Sequence, residues 1–399
     1  MKRLYLFTAR YPYKGIENFL EDEIVYLSQK FDIVYVIPFK SNQNGYRNMP
    51  DNCILLPSII SGTGNFLLKS LFCSKTFSLL LQEFFRYRVF GNFKRLKVWL
   101  TAYVVVNSII NTSAVKKIFK QLSMNDVCYF YWGKWSNMLS VFWKGKAHFV
   151  SRFHGEWDLW EESYNGYAPL RKRLSESLDY AVFISKKGES YFHERYSACP
   201  TKLFRLGTKD LGVAKSSRDG WIRVLSCSTV YALKRVELIC MSVEKAAKNV
   251  KIEWTHIGGG EDFEHLSAIT EKLKNNNFRV YLLGQMTYSE VLRYYQNNEV
   301  DIFINLSANE GIPVSIMEAI SCNIPVVATN VGGTSEIVCK ETGILVSENP
   351  SVDEVANAIL KIDENRLDYT PRKYWMNKYK ADVNYGNFAN FLNNLIIHK

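Results

Sequence analysis

Short apolar runs alternate with helix-like segments along the chain, and this alternation restricts the possible folds most. In the first half, runs rich in aliphatic and aromatic residues occupy residues 4–9, 32–39, 53–56, 126–132, 148–154, 180–185 and 203–206. In the second half, they occupy residues 223–226, 253–257, 280–283, 301–306, 325–329 and 344–346. Apolar strands that are separated by helices predict an α/β protein with parallel sheets covered on both faces.

A polar stretch at residues 215–220 interrupts this alternation and predicts a domain boundary. A chain of 399 residues is long enough for two domains of ordinary size. We predict an N-terminal, acceptor-binding Rossmann-like domain over residues 1–210 and a donor-binding one over residues 221–373. A C-terminal helical segment, residues 374–399, is expected to cross back to the N-terminal domain. In such units, ligands bind beyond the carboxyl ends of the strands.

The net charge of +11 is concentrated in one segment. Residues 66–120 contain ten Lys or Arg and a single acid, Glu83, so they carry +9 and the rest of the chain +2. Phenylalanines and leucines are interleaved with these cations, which suits helices lying on an anionic membrane surface. Helices that pack on a core and expose a basic face to water explain the pattern equally well. No nucleic-acid-binding module is recognisable, so we predict no nucleic-acid partner.

Three features predict a cytoplasmic protein, either free or peripheral on the inner face of the plasma membrane. The N-terminus reaches Arg10 before any long apolar run, so it resembles a first strand rather than a secretion signal. The longest uncharged segment, residues 98–115, contains several Asn, Ser and Thr and makes a poor bilayer span. The eight cysteines are scattered without a C-x-x-C pair, which fits free thiols in a reducing compartment.

A loop and a helix after the apolar run at residues 301–306 are the best candidates for ligand binding. Gly311 lies in the loop, and Pro313 is suited to the first position of the helix. Glu310 can accept hydrogen bonds from sugar hydroxyls, while the backbone amides after it receive a phosphate. Glu318 lies in the second turn, where a solvent-exposed helix residue is the alternative interpretation.

Glu310 and Glu318 are separated by seven residues, with Glu-Gly before the helix and Glu-Ala within it. Pro-Val-Val-Ala-Thr and Val-Gly-Gly follow at residues 325–333. This order of elements resembles the retaining GT-B glycosyltransferases of family 4, the glycosyl transferases group 1 of bacterial surface-polysaccharide synthesis. The similarity covers most of residues 220–350 and the N-terminal half more loosely.

The resemblance implies a GT-B fold, in which two Rossmann-like domains face each other across a cleft. It also implies that Glu310 contacts the donor sugar and Glu318 the nucleotide ribose. The helix start would bind the sugar and phosphates of the donor, largely through main-chain amides, at Gly311, Ile312, Pro313 and Val314.

Further site residues follow from the resemblance. Lys234 fits the lysine of a cationic diphosphate clamp, and Arg235 is the candidate for a second charge, because the arginine that many members carry slightly earlier is absent here. A basic helix start on the surface is the alternative. His154, in an Arg-x-His-Gly-x-x-Asp segment, resembles a strand-end histidine that reaches the donor sugar across the cleft. A structural role is the alternative for this histidine.

Glycines provide weaker matches. Gly15 lies where family members have a glycine-rich loop near the diphosphate. Gly284 follows a strand, in the position of the family's loop that contacts the nucleotide base. The run at residues 258–260 either admits a phosphate to a helix N-terminus or forms a tight turn. The chain has no D-x-D pair, so we predict a site without metal or cofactor, in which Lys234 and helix dipoles offset the leaving-group charge.

The function implied is transfer of a hexosyl unit, with retention of configuration, from a nucleotide diphosphate sugar to a saccharide or polyprenyl-linked acceptor. Such chemistry belongs to capsule, exopolysaccharide or lipopolysaccharide O-antigen synthesis. A sugar-nucleotide epimerase on the same fold remains an alternative, as does a non-catalytic partner subunit that binds a nucleotide.

Overall fold

A computed structural model describes residues 1–13, 17, 19–42, 45–60, 74–155, 158–273 and 275–397. The chain forms two compact units. The first contains Met1–Phe204 and Tyr385–Lys399, and the second contains Arg205–Asn384. The predicted domain limits stay a prediction, because compactness describes packing and not independent folding.

The first unit contains a seven-stranded parallel sheet in the order β3-β2-β1-β4-β5-β6-β7. Its strands are β1 (Arg3–Thr8), β2 (Ile33–Pro38), β3 (Cys53–Leu55), β4 (Asp126–Phe130), β5 (His148–Phe153), β6 (Tyr180–Phe183) and β7 (Thr201–Leu203). Its helices are α1 (Leu20–Ser28), α2 (Ser74–Arg86), α3 (Phe93–Asn111), α4 (Ser113–Gln121), α5 (Leu139–Trp143), α6 (Arg171–Ser177) and α7 (Lys186–Arg195). The central strands are buried along most of their length because helices cover both faces.

Alternate residues of β1 point to opposite faces of this sheet, as the two-residue period of a strand requires. Tyr5 and Phe7 join one apolar cluster, whereas Leu4 and Leu6 join another. The second cluster also contains Phe388 near the end of the chain, which is fully buried.

Helices α2 and α3 pack on each other around Trp99, whose indole N–H donates to the Leu80 carbonyl at 2.8 Å. Glu83 is buried there, and its carboxylate accepts hydrogen bonds from the Tyr167 hydroxyl and the Leu170 amide. Burial raises the pKa of Glu83. The part of the predicted basic segment at residues 66–73 lies outside the described residues.

In the described part of the chain, no single helix combines the length and the apolarity of a membrane span. Helices α3 and α4, which are bent by 61° relative to each other, reach that length and composition only when taken together.

The second unit contains a six-stranded parallel sheet in the order β10-β9-β8-β11-β12-β13. Its strands are β8 (Trp221–Cys227), β9 (Lys251–Ile257), β10 (Phe278–Leu282), β11 (Ile302–Asn305), β12 (Val326–Thr329) and β13 (Gly343–Val346). Its helices are α8 (Val236–Ala246), α9 (Phe263–Thr270), α10 (Tyr288–Asn297), α11 (Val314–Ser321), α12 (Val352–Glu364) and α13 (Pro371–Lys378). A last helix, α14 (Ala381–Ile397), begins in this unit and belongs to the first unit from Tyr385 onward.

Twelve of the thirteen apolar runs predicted as strands form strands over most of their length, whereas the run at residues 203–206 shares only Leu203 with β7. All the pairings within the two sheets are parallel. The predicted α/β class is therefore confirmed. The prediction that Pro313 is the first helical residue is wrong. Its backbone is extended, with φ −67° and ψ 120°, so α11 begins one residue later at Val314.

Candidate functional site

Lys234 and Glu310 form an ion pair at the carboxyl edge of the second sheet. Lys234 ends a short turn between β8 and α8, and Glu310 lies in the loop between β11 and α11. Because β8 and β11 are neighbours in the sheet, their loops meet, and the Lys234 Nζ donates to the Glu310 Oε1 at 2.6 Å. The two side chains are only 18% and 10% exposed. The structure thus brings together the predicted clamp lysine and the predicted sugar-binding carboxylate.

Backbone and side-chain hydrogen bonds hold these two loops in place. The Ala308 N–H donates to the Leu233 carbonyl at 2.8 Å, which ties the β11 loop to the turn that contains Lys234. The Thr329 hydroxyl donates to the Ser307 carbonyl at 2.6 Å. The ion pair therefore has a fixed backbone on both sides.

The Val-Gly-Gly segment after β12 braces the Glu310 loop from the other side. Gly332 has φ +53°, and a Cβ there would lie 1.7 Å from the Glu310 carbonyl oxygen. The Gly333 N–H donates to the Gly311 carbonyl at 2.8 Å. A glycine is required at residue 332 because only a residue without a side chain lets the two backbones approach so closely.

The start of α11 offers backbone donors. Among the described residues, none accepts a hydrogen bond from the amides of Gly311, Ile312 or Val314. Pro313 has no N–H to donate. Its backbone is extended, so Val314 is the first helical residue and provides the first helical N–H. Unpaired amides at a helix N-terminus suit an anion, since the helix dipole adds to their partial charge.

Glu318 is buried within α11, so the interpretation as an exposed helix residue is wrong. Its carboxylate influences Cys227 at the end of β8. Burial first, and then the Glu318 charge, raise the pKa of the Cys227 thiol to about 12. Glu318 thus lies close to the end of the strand that leads to Lys234. Its predicted contact with a ribose stays a prediction.

Arg235 points to a different loop. Its guanidinium donates to the Glu348 carbonyl and to the Asn349 side chain, both at 2.7 Å. These contacts lie beyond β13, so the structure does not place Arg235 on the Lys234 and Glu310 pair. A role as the second clamp charge would require it to leave these partners, and that role stays a prediction.

The glycine run at residues 258–260 packs against the loop after β8. A Cβ on Gly258 would lie 1.8 Å from the Ser228 oxygen, and one on Gly260 would lie 2.2 Å from the Val230 oxygen. The Gly258 N–H donates to the carbonyl of Gly284, the predicted base-loop residue, at 2.9 Å. These approaches explain the glycines by packing and favour the tight-turn interpretation.

His154 lies in the first unit, at the end of β5. Its backbone N–H and that of Gly155 both donate to the Asp158 carboxylate at 3.0 Å, which closes the turn. The imidazole lies against Tyr131 and Trp132, with ring centroids 4.9 and 4.3 Å away. Neither ring nitrogen has a hydrogen-bond partner among the described residues. The ring is therefore fixed by packing, with its Nδ1 3.5 Å from the Asp158 carboxylate, and both nitrogens are buried. Its predicted contact with the donor sugar stays a prediction.

Gly15, the predicted glycine-loop residue, lies outside the described residues. Nearby, Glu17 is a residue that the sequence did not single out. Its carboxylate accepts from the backbone amides of residues 9, 10 and 11 and from the Trp132 indole N–H, at 2.7–2.9 Å. Glu17 has φ +62°. No local sequence signal indicates that Glu17 joins the β1 loop to Trp132, because this tryptophan lies 115 residues away.

The described residues contain no group of three or more His, Cys, Asp or Glu side chains that could hold a metal ion. The absence of a metal requirement stays a prediction.

Residues 214–381 match the model of the family described as "Glycosyl transferases group 1". The O-antigen biosynthesis glycosyltransferase WbnH of Escherichia coli is 26% identical over 244 residues, which cover 59% of this chain and 66% of that protein. An N-acetyl-alpha-D-glucosaminyl L-malate synthase of Bacillus anthracis is 24% identical over 159 residues, or 39% of this chain and 39% of that one. The chain thus spans just under two thirds of the first of these relatives.

Solved structures match nearly the whole chain at low identity. The lipopolysaccharide outer core galactosyltransferase WaaB superposes with a TM-score of 0.66 and 17% identity, covering 98% of this chain and 99% of that one. Anabaena HepE in complex with UDP superposes with a TM-score of 0.66 and 15% identity, covering 99% of this chain and 100% of that one. Sucrose-phosphate synthase from Thermosynechococcus elongatus superposes with a TM-score of 0.70 and 15% identity, covering all of both chains. With the two parallel-sheet units, these likenesses confirm the predicted GT-B fold.

Proposed function

Because residues 214–381 match the model of the glycosyl transferases group 1, we propose that the protein transfers a sugar from a nucleotide diphosphate sugar to a saccharide acceptor. The observation that carries this proposal is the Lys234 and Glu310 ion pair beside the unpaired amides that open α11. A cation, a carboxylate and main-chain donors are the groups that recognise a diphosphate with a sugar attached.

In the proposed complex, Lys234 leaves Glu310 and binds the diphosphate, and the α11 amides bind its oxygens. Glu310 then accepts hydrogen bonds from the sugar hydroxyls, and Glu318 from the ribose. HepE, which shares the fold, was solved with UDP and with UDP-glucose, and this supports a uridine nucleotide as the first donor to test.

We further propose that transfer retains the anomeric configuration, without an enzyme nucleophile and without a metal. The departing phosphate assists attack from the same face of the sugar, and His154 contacts the sugar. Lys234 and the α11 N-terminus offset the charge that develops on the leaving diphosphate, which is the task a divalent ion performs in other transferases.

The E. coli relatives support a place in surface-polysaccharide synthesis, because their names assign them to O-antigen biosynthesis. The acceptor proposed here is accordingly a saccharide, free or polyprenyl-linked, of an O-antigen, capsule or exopolysaccharide. Its assembly on a lipid carrier would take place at the inner face of the plasma membrane.

The surface of α2 and α3 supports a peripheral membrane contact. Phe85, Phe90 and Phe93 are 62–82% exposed, among the basic residues of this segment. Glu83, the only acid of residues 66–120, is buried, so it does not reduce the positive charge of this surface. Exposed phenylalanines among cations complement an anionic bilayer. The inward-facing side of these helices forms a core around Trp99, as the core-packing interpretation of the sequence requires, and the membrane contact of the outer side is part of this proposal.

The donor is tested by a thermal-shift screen with UDP, GDP, ADP and CMP, because a ligand that binds the native state raises the melting temperature. One nucleotide should stabilise the protein, and Lys234→Met should remove that shift. Lys361→Met, which removes an exposed lysine of α12, is the matched control. Product analysis with the corresponding nucleotide sugar follows. A free epimerised nucleotide sugar without any glycoside would establish the epimerase instead, and the absence of any nucleotide shift would refute the proposal.

Membrane binding is tested by sedimentation with phosphatidylglycerol and phosphatidylcholine vesicles. The protein should pellet with the anionic vesicles and be released by salt, and replacing Phe85, Phe90 and Phe93 by serine should abolish binding. Leu367→Ser is the control, because Leu367 is also exposed but lies in the second unit. Equal binding by the triple variant would refute this contact.

A further inference from the structure

A cavity of about 320 Å³ opens at the carboxyl edge of the first sheet. The loops that follow β1, β2 and β4 line it, and these three strands are neighbours in the sheet. Its volume lies at the small end of the roughly 300–1,000 Å³ usual for ligand sites. Of the residues assigned to the donor, none of those that the structure describes lines this cavity, and Gly15 lies outside the described residues.

Three cations line the cavity, one from each loop. Arg10 follows β1, Lys40 follows β2 and Lys134 follows β4. Among the residues that the structure describes, no acidic side chain lines it. The nearby acid Glu17 does not offset these charges freely, since its carboxylate is occupied by the backbone amides of the β1 loop and by the Trp132 indole. The cavity therefore presents an excess of positive charge.

Aromatic side chains form the rest of the binding surface. Trp132, Trp135 and Phe39 line the cavity together with the cations. The hydrogen bond from its indole to Glu17, at 2.7 Å, holds Trp132 in one orientation. Indole rings offer flat, largely apolar faces, which suit the C–H face of a sugar ring. Burial lowers the pKa of Lys134, because its ammonium group is only partly hydrated. The charge of Asp158 opposes this shift, so the selection of an anion rests mainly on Arg10 and Lys40.

We propose that this cavity is the acceptor subsite and that it binds a sugar carrying an anionic group, either a carboxylate or a phosphate. The cations select the charge, and the tryptophans bind the ring. This inference rests on the proposed transferase function, and it adds the chemical class of the acceptor. An uncharged sugar would provide no counter-charge to Arg10 and Lys40, so it binds more weakly.

The test is a ligand-detected NMR titration with four probes: glucuronate, glucose 1-phosphate, glucose and inorganic phosphate. At least one charged sugar should bind about tenfold or more tightly than both glucose and phosphate, since one charge-assisted hydrogen bond is worth roughly that factor. Whichever of the two binds more tightly identifies the anion as carboxylate or phosphate. Lys40→Gln should weaken binding of that sugar roughly tenfold and leave glucose unchanged. Lys30→Gln, which removes an exposed lysine two residues beyond the end of α1, is the matched control.

Two results would overturn the inference. In the first, glucose binds as tightly as both charged sugars, or phosphate alone as tightly as glucose 1-phosphate, which would indicate no subsite for a charged sugar. In the second, UDP displaces the charged sugar and Lys40→Gln weakens UDP binding to the same extent, which would assign the cations to the donor. In the first case, a nucleotide thermal shift that persists in Lys40→Gln shows that donor binding, on which the proposed transferase function rests, stands independently of this cavity.

Discussion

Replacing Glu310 by glutamine should strengthen the binding of UDP and at the same time slow sugar transfer. Glu310 forms an ion pair with the ammonium group that would bind the diphosphate, because Lys234 Nζ lies 2.6 Å from its carboxylate. A glutamine of nearly the same size keeps the loop filled but removes the charge. Lys234 then meets a phosphate without first breaking an ion pair, whereas the sugar loses a carboxylate acceptor.

The magnitude follows from the burial of the pair. Exposed ion pairs contribute about 0.2–1 kcal/mol, and removing one partner of a fully buried pair costs about 3–5 kcal/mol. With side chains that are 18% and 10% exposed, this pair lies between those limits, at about 1–2 kcal/mol. Releasing Lys234 should therefore tighten UDP binding about 5- to 30-fold. Lys234→Met should weaken it about 10- to 160-fold, because a hydrogen bond to a charged group contributes roughly 1.5–3 kcal/mol.

Isothermal titration calorimetry with UDP on the parent protein, both single variants and the double variant measures these changes. The double variant should bind no better than Lys234→Met, because the gain from Glu310→Gln acts through the lysine. Transfer from the nucleotide sugar should fall in all three variants. Weaker UDP binding by Glu310→Gln would refute the argument that the carboxylate competes with the phosphate for Lys234.

Three further predictions concern stability. Gly332→Ala should lower the unfolding free energy by roughly 1–3 kcal/mol in urea melts, because φ is +53° and the new Cβ meets a carbonyl oxygen. Gly386→Ala is the control: its Cβ enters open space within α14, so the unfolding free energy should stay equal or rise. Arg152→Met should cost about 3–5 kcal/mol by leaving its fully buried partner Glu23 unpaired, and an unchanged melt would contradict this. Burial lowers the pKa of His256 to about 4 in the folded protein, against about 6.5 in the unfolded chain. Between these pH values only the unfolded chain binds a proton at this histidine, so the free energy of unfolding falls as the pH drops from about 6.5 to 4. His256→Asn should make the pH profile of the melts flatter.

The alternation of apolar runs and helices was sufficient to predict the positions of all the strands described in the two sheets except β7, which begins two residues before its predicted start and ends at that residue. Buried parallel strands are apolar almost throughout, and this signal does not depend on distant residues. The end of a helix depends on local backbone geometry as well. Pro313 fits the first helical position by its φ angle, but its ψ of 120° is extended, and the helix begins one residue later.

The site could be predicted only in part, because its contacts join distant parts of the chain. The resemblance identified Lys234 and Glu310 separately, but their pairing follows from the neighbouring positions of β8 and β11 in the sheet, across 76 residues of sequence. The direction of the Arg235 side chain depends in the same way on a loop 113 residues further on. Sequence spacing contains no information on such pairings until the order of the strands is known.

The first unit is built from both ends of the chain, and this has a consequence for its synthesis. Phe388 and Leu392 complete an apolar cluster on its sheet, yet the ribosome adds them only after the 180 residues of the second unit. At about 5–20 residues per second, the N-terminal strands wait roughly 10–40 s with that cluster incomplete. The second unit is continuous in sequence and can finish folding during this delay. Expression of residues 1–204 alone would therefore yield a sheet with part of one face uncovered and prone to aggregation.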